Sequence, residues 1–271
     1  MPELPEVETT RRGIEPWLVG RRIDEVLVRD RRLRWPVSHA LPTRLRGSTV
    51  RAVGRRAKYL LITTDTGTAI LHLGMSGSLR VMDAAAPALA HDHVDIVLDS
   101  GRCLRFNDPR RFGCLLFTAG DPLRHRLLAG LAVEPLSGEF DGESLWRRAR
   151  RRRVSIKAFI MDSRSVVGVG NIYASEALFR AGIRPGIAAG KVSRERMAVL
   201  VTGIRKVLTE AIGLGGTTLR DYVDPSGMPG YFRQKLFVYE RAGKPCRNCR
   251  TPIRQFVQGQ RSTYWCPRCQ R

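Results

Sequence analysis

The chain has 271 residues and a hydrophobic fraction of 43%, which suits one large or two ordinary domains with a proper core. It carries 47 Lys+Arg against 25 Asp+Glu, a net charge of +22, and nearly all of its cations are arginine. Charge of this sign and size argues against a cationic partner and for a polyanion, nucleic acid before an acidic membrane, because arginine forks onto phosphates. There is no run of 18 apolar residues and no dominant basic amphipathic helix. Glu3, Glu6, Glu8 and Glu15 interrupt any apolar core of a leader, so a cytoplasmic, nucleoid-associated location is expected.

In chain order, residues 5–18 predict a helix, with Pro5 in its first turn and Val7, Ile14 and Leu18 near one face. Residues 23–117 predict mainly short strands. Tyr59–Thr63 and Thr68–Leu73 flank an Asp65-Thr66-Gly67 turn, and Val94–Leu98 and Cys103–Asn107 flank Asp99-Ser100-Gly101. Such spacing points to a β-sandwich or barrel, with Ala84–Ala90 as a loop. From about residue 134 the pattern turns helical. Asp141 is placed to cap a helix through Trp146, Ile156, Phe159 and Ile160 have helical spacing, and a helix from Asn171 should stop at Gly182. The clearest helix runs from about Arg194 to Ile212 and is broken by Gly213-Leu214-Gly215-Gly216, which begins an expected mobile loop.

Four of the six cysteines crowd the end of the chain as Cys246-x2-Cys249-x16-Cys266-x2-Cys269. Two thiolate knuckles satisfy a tetrahedral zinc and leave no open position, so one structural Zn2+ is expected. Cys103 and Cys114 lie in apolar segments and read as reduced core residues. Gln255–Val257 and Ser262–Trp265 predict a hairpin with Arg261 near its tip, either solvated or reaching a nucleic-acid groove.

The first residues offer different chemistry. With Met1 removed, Pro2 is a secondary amine followed by the Glu3 carboxylate. A terminal amine titrates near 8, well below lysine, so more of it is nucleophilic at neutral pH. Attack on a sugar carbon forms an iminium, and a neighbouring acid supplies the leaving group's proton. The bland alternative is that Pro5 merely starts a helix. Val167-Gly168-Val169-Gly170-Asn171 is either a phosphate-facing helix start or a tight interhelical turn. Lys58 opens an apolar strand and is either a solvated edge lysine or functional. Met75 stands between glycines in His72-Leu73-Gly74-Met75-Ser76-Gly77, and Asn107-Asp108-Pro109-Arg110-Arg111-Phe112-Gly113 forms a comparable loop. Viewed singly, each has a bland alternative, since most methionines are core, whereas together the loops would offer a thioether wedge, base-edge donors and a stacking plane.

Taken together, the motifs Pro2-Glu3-Leu4-Pro5-Glu6, Arg56-Ala57-Lys58-Tyr59, His72–Gly77, Asp108–Gly113, Gly168–Glu176 and the four-cysteine end resemble the formamidopyrimidine-DNA glycosylase family along the whole length. The resemblance implies an α+β fold in two domains: an N-terminal β-sandwich with flanking helices, and a C-terminal helix–two-turn–helix domain with a four-cysteine zinc-finger hairpin. The expected segments are a catalytic domain at 1–133, a DNA-binding domain at 134–228 and a finger at 237–271. It implies a monomer that takes damaged double-stranded DNA between its lobes, with no membrane partner and no organic cofactor.

The implied activity is removal of 8-oxoguanine and formamidopyrimidines, then β,δ-elimination at the abasic site. Pro2 would be the nucleophile and Glu3 the proton donor, with Glu6 a helper. Lys58 would serve the first elimination, and Arg261 the second elimination and phosphate binding. Met75, Arg110 and Phe112 would fill the gap left by the everted base. His91, Arg152, Lys157, Asn171 and Tyr173 would lie near the DNA backbone. The Thr217–Asp224 segment would cover the everted base.

Two rivals remain at this level. The sister family endonuclease VIII prefers oxidised pyrimidines, but its usual Pro-Glu-Gly-Pro-Glu start differs at Leu4. A zinc-ribbon DNA-binding protein without catalysis explains the charge and the finger, but not a terminal Pro-Glu pair.

Overall fold

The computed structural model describes residues 2–216 and 232–271. The chain divides into two compact units, one built on Met1–Ala129 and the other on Gly130–Gly213 with Phe232–Arg271.

The first unit opens with α1 (Leu4–Leu18), which buries Leu4, Val7, Ile14 and Leu18. It starts one residue earlier than its proline suggests, because the Glu6 carboxylate accepts the Glu3 N–H at 2.9 Å and closes a capping box. Next come β1 (Ile23–Val28), the short α2 (Leu41–Leu45) and β2 (Val50–Arg56). The remaining strands are β3 (Tyr59–Thr64), β4 (Gly67–His72), β5 (Ser78–Asp83), β6 (Asp92–Leu98), β7 (Arg102–Asn107) and β8 (Cys114–Thr118). They form two antiparallel four-stranded sheets, ordered β1-β6-β7-β5 and β2-β3-β4-β8.

Alternating burial along β3 shows one face turned inward. Leu60, Ile62, Ala69, Leu71 and Leu115 from one sheet share a core with Val26, Val94, Ile96, Leu104 and Phe106 from the other, so the expected sandwich is present. One cation lies inside it. The fully buried Arg105 forks onto Asp95 at 2.9 and 2.8 Å and donates to the Pro87 and Ala86 carbonyls at 3.0 Å each, which anchors the 84–90 loop.

The second unit is helical: α3 (Gly142–Ala149), α4 (Ile156–Met161), α5 (Asn171–Arg180) and α6 (Arg194–Gly213). Asp141 caps α3 by accepting the Ser144 N–H at 2.8 Å, and the helix runs past Trp146 because Ala149 still faces the core. Helix α5 is buried from Ile172 through Phe179 and forms the centre against which α4 and α6 pack. The unit ends in a ribbon, β9 (Arg254–Gln258) paired with β10 (Arg261–Trp265). Its two-residue turn places Gly259 and Gln260 at φ of 54° and 60°, as a type I′ hairpin requires. No described helix is long and apolar enough to cross a membrane.

Candidate active site and nucleic-acid interface

In the first unit, Pro2, Glu3 and Glu6 are all buried at the head of α1. Lys58 is half-buried in the turn between β2 and β3. Arg56 pairs directly with Tyr59, so the turn has only two residues, and Ala57 takes a φ of 54° to close it. A side-chain strut links this turn to α1. Arg55 Nε donates to Glu8 at 3.1 Å, and Arg55 Nη1 donates to the Ala57 carbonyl at 2.8 Å. Burial alone would push the Glu8 carboxyl up, but bonds from Arg11, Arg12 and Arg55 hold it below the usual carboxylate range.

Behind Lys58, the His72 ring tilts against Tyr59 at 4.8 Å, and its Nδ1 accepts the Gly74 N–H at 2.9 Å. Burial, with the charges of Lys58 and Arg34, lowers the His72 pKa to about 4, so the ring is neutral near pH 7.

The two glycine-bearing loops meet in this unit. A Cβ on Gly74 would lie 2.4 Å from the Gly113 nitrogen, and one on Gly113 would lie 2.6 Å from the His72 carbonyl. Only glycine allows this approach. From the paired loops, Met75 and Phe112 stand 37% and 44% exposed, side by side on one surface. Arg110 is exposed and lies over the Phe112 ring at 5.1 Å. Its neighbour Arg111 is instead tied to Asp30 at 2.6 Å. His91 is exposed in the adjoining turn, at a φ of 70°.

In the second unit, the four cysteine Sγ atoms all lie within 4.8 Å of one another. Cys246 and Cys269 are 3.9 Å apart, and Cys249 and Cys266 are 3.4 Å apart. Zinc–sulfur bonds of about 2.3 Å in a tetrahedron put sulfurs roughly 3.8 Å apart, so the cluster fits a metal ion. The second knuckle is pinned to the helices by buried Gln270. Its Oε1 accepts the Cys266 N–H at 2.8 Å, and its Nε2 donates to the Ile183 carbonyl at 2.9 Å.

The hairpin is held at its other end. Lys157 is only 2% exposed, with its ammonium donating to Thr263 Oγ1 at 2.8 Å and the Ser262 carbonyl at 3.3 Å. Asn171 Nδ2 donates to the same Ser262 carbonyl at 3.1 Å. Arg261, the next residue toward the tip, is exposed, as is Arg152. Tyr173 is fully buried against Phe232, ring to ring at 5.7 Å. The Thr217–Asp224 segment and Met1 lie outside the described residues.

Three residues that hold these segments together have no role assigned from the sequence, although two of them stand in the quoted motifs: Asp108, Arg55 and Glu176. Glu176 is fully buried, and its carboxylate accepts the backbone N–H groups of Phe237, Val238 and Tyr239 at 2.9–3.1 Å. A charged residue inside an otherwise apolar helix pattern is the signal that would have found it.

A basic two-unit protein with a buried terminal Pro-Glu pair, an exposed wedge and a four-thiol ribbon belongs among DNA-processing proteins of one kind, and comparison with known families places it. Residues 1–115 match the formamidopyrimidine-DNA glycosylase N-terminal domain, 131–223 its H2TH domain, and 243–271 the zinc finger found in FPG and IleRS. The chain belongs to the formamidopyrimidine-DNA glycosylase family. It is 62% identical to the formamidopyrimidine-DNA glycosylase of Thioalkalivibrio sulfidiphilus and 59% identical to that of Stutzerimonas stutzeri, over all of each chain. Among solved structures, the MutM (Fpg) protein of Thermus thermophilus is 40% identical with a TM-score of 0.89, over 99% of this chain and 98% of that one. Lactococcus lactis Fpg in complex with abasic-site DNA is 31% identical with a TM-score of 0.91, over 99% of both chains.

Proposed function

We propose that this chain excises oxidised purines, 8-oxoguanine and formamidopyrimidines, from duplex DNA and then cuts the strand at the resulting abasic site. It is a base-excision-repair glycosylase with lyase activity. The observation that carries the residue assignment is the Pro2-Glu3 pair at the head of α1, braced through Glu8 and Arg55 to the Lys58 turn.

After loss of Met1, the neutral Pro2 amine attacks C1′, and the base departs with the electron pair of its glycosidic bond and takes up the proton that the Pro2 nitrogen gives up. Glu3 gives a proton to the sugar ring oxygen, the ring opens, and an iminium forms between Pro2 and C1′. The iminium acidifies C2′. A base takes that proton and the 3′ phosphate leaves with the C3′–O electron pair, with Lys58 as the proton donor in this elimination. A second elimination across C4′ and C5′ expels the 5′ phosphate, assisted by Arg261, and water then releases Pro2. Glu6 holds the Glu3 backbone in place.

Everting a base costs a few kcal/mol. Met75 and Phe112 fill the gap, and Arg110 pairs with the widowed cytosine, as their exposure on adjacent loops supports. His91, Arg152 and Asn171 hold the DNA backbone, whereas buried Lys157 and Tyr173 shape that surface from beneath. Cys246, Cys249, Cys266 and Cys269 hold one structural Zn2+, which stiffens the hairpin presenting Arg261. In this reading, residues 1–133 catalyse, 134–228 form the helix–two-turn–helix domain and 237–271 the finger. The protein acts as a monomer on the cytoplasmic nucleoid.

Borohydride trapping on a duplex with one 8-oxoguanine opposite cytosine tests this, with a covalent adduct at Pro2 expected. An adduct formed only with oxidised pyrimidines would move the chain to the sister family. Failure to trap any damaged base or abasic site would end the enzyme reading.

A further inference from the structure

We infer that Asp108 is a positioning residue that locks Met75, Arg110, Phe112 and His91 into one rigid block, an inference that rests on the gap-filling role proposed above. Asp108 is 0% exposed. Its Oδ2 accepts the Gly113 N–H at 2.7 Å, and its Oδ1 accepts the Ser76 hydroxyl at 3.2 Å. The Asp108 N–H donates to the His91 carbonyl at 3.1 Å. Its carbonyl accepts the Arg111 N–H at 3.2 Å and the His93 Nε2–H at 2.9 Å.

These partners are telling. Ser76 follows Met75, Gly113 follows Phe112, and Arg111 lies between Arg110 and Phe112. Every exposed side chain of the first unit assigned to the DNA is therefore one residue from a group bonded to Asp108, or bonded to it directly. Nearby Leu79 and Phe106 form an apolar core that has no need of a buried acid. A carboxylate is costly to bury without hydrogen-bond partners, and here each of its oxygens takes one from a different loop of the two that must act together.

A wedge fills a gap only if it resists the stacked bases pushing back. Met75 and Phe112 sit on separate loops, and either loop alone would yield. The paired bonds to one carboxylate transmit the load from each loop to the other, while the Asp108 backbone carbonyl ties the block to the sheet beneath through His93.

The test compares Asp108→Ala, Asp108→Asn and Ser76→Ala on two duplexes, one with 8-oxoguanine paired to cytosine and one with a preformed abasic site. A 2-aminopurine beside the lesion reports eversion by stopped-flow fluorescence. Asp108→Ala should slow eversion and excision from the pair on the order of tenfold to hundredfold in kcat, with little change in KM. Abasic-site cleavage, where no base must be expelled, should stay near wild type. Asp108→Asn should recover most of the loss, since its Oδ1 accepts from Gly113 and its Nδ2 donates to Ser76. Ser76→Ala, which keeps the Gly113 bond, should show a smaller loss in the same direction, and it decides alone if Asp108→Ala does not fold.

Equal losses on both duplexes that track the melting temperature would overturn the inference, as would normal eversion in Ser76→Ala and Asp108→Ala. Wild-type protein inactive on both duplexes would overturn the repair reading itself, which keeps the two failures apart.

Discussion

Arg55 joins the first helix to the Lys58 turn: one guanidinium reaches Glu8 at 3.1 Å and the Ala57 carbonyl at 2.8 Å. The proposed nucleophile and the proposed eliminating lysine come from segments 56 residues apart, counted from Pro2 to Lys58. A planar fork fixes their separation better than a flexible ammonium would. Arg55→Ala and Arg55→Lys should both lower borohydride trapping at an abasic site, by on the order of tenfold for Ala and less for Lys. Loss of the two part-buried bonds should also cost about 1–3 kcal/mol of stability. Trapping at the wild-type rate in Arg55→Ala would show that the brace does not set the geometry.

His72 should make stability fall with acid. Its pKa is lowered from 6.5 to about 4 in the folded chain, so between those values the unfolded chain binds the extra proton. Stability therefore rises with pH across that window and is lost as pH falls from about 6.5 to about 4, by at most about 3 kcal/mol. Protonation would also abolish the Nδ1 acceptor for Gly74, and with it the support of the Met75 loop. Urea midpoints from pH 4 to 7 should show this slope in the wild type and a flatter one in His72→Gln. Identical slopes would assign the acid sensitivity to other groups.

Phosphate contacts should dominate affinity. A chain of net charge +22 releases counterions when it neutralises phosphates, so log K should fall steeply with log salt. Exposed Arg152 is expected to contact one phosphate, and Arg152→Ala should reduce the salt slope by about 1 without altering which lesion is preferred. Fluorescence anisotropy between 50 and 200 mM salt, roughly the range over which such slopes are read, measures it. An unchanged slope would remove Arg152 from the interface.

What the sequence disclosed followed its periodic and covalent signals. The alternation in Tyr59–Thr64, the 3.6 period of Arg194–Gly213 and the four-cysteine spacing each depend on neighbours in the chain, so they are legible without coordinates. Met75, Arg110 and Phe112, which singly read as ordinary and stand out only through their shared motifs, are all exposed. The supporting shell was not legible. Asp108 serves Ser76, 32 residues away, and Glu176 serves Val238, 62 residues away, and no local pattern encodes such pairings. Lys157 is placed near the DNA by resemblance alone, and no local pattern announces that its buried ammonium also holds Thr263. The five-residue α2 was missed because one turn carries too few positions for a period.

Glu176 supplies the most severe test of how the finger is carried. Its carboxylate caps three successive N–H groups, from Phe237 through Tyr239, just before the first cysteine knuckle. The cysteines are untouched by a change at this position, so Glu176→Ala should still bind about one metal ion per chain. The three N–H groups, of which that of Val238 is buried and the other two part-buried, would lose their acceptor, at a cost of about 2 kcal/mol. Freed from helix α5, the finger should hold Arg261 less firmly, and DNA affinity should drop while iminium formation at an abasic site persists at saturating DNA. Glu176→Gln keeps one acceptor oxygen and should fall between the two. Urea unfolding, metal analysis and anisotropy on the same preparations decide the matter. Stability within about 0.5 kcal/mol of wild type would mean the three N–H groups find water or other partners, and the carboxylate would not be what holds the finger.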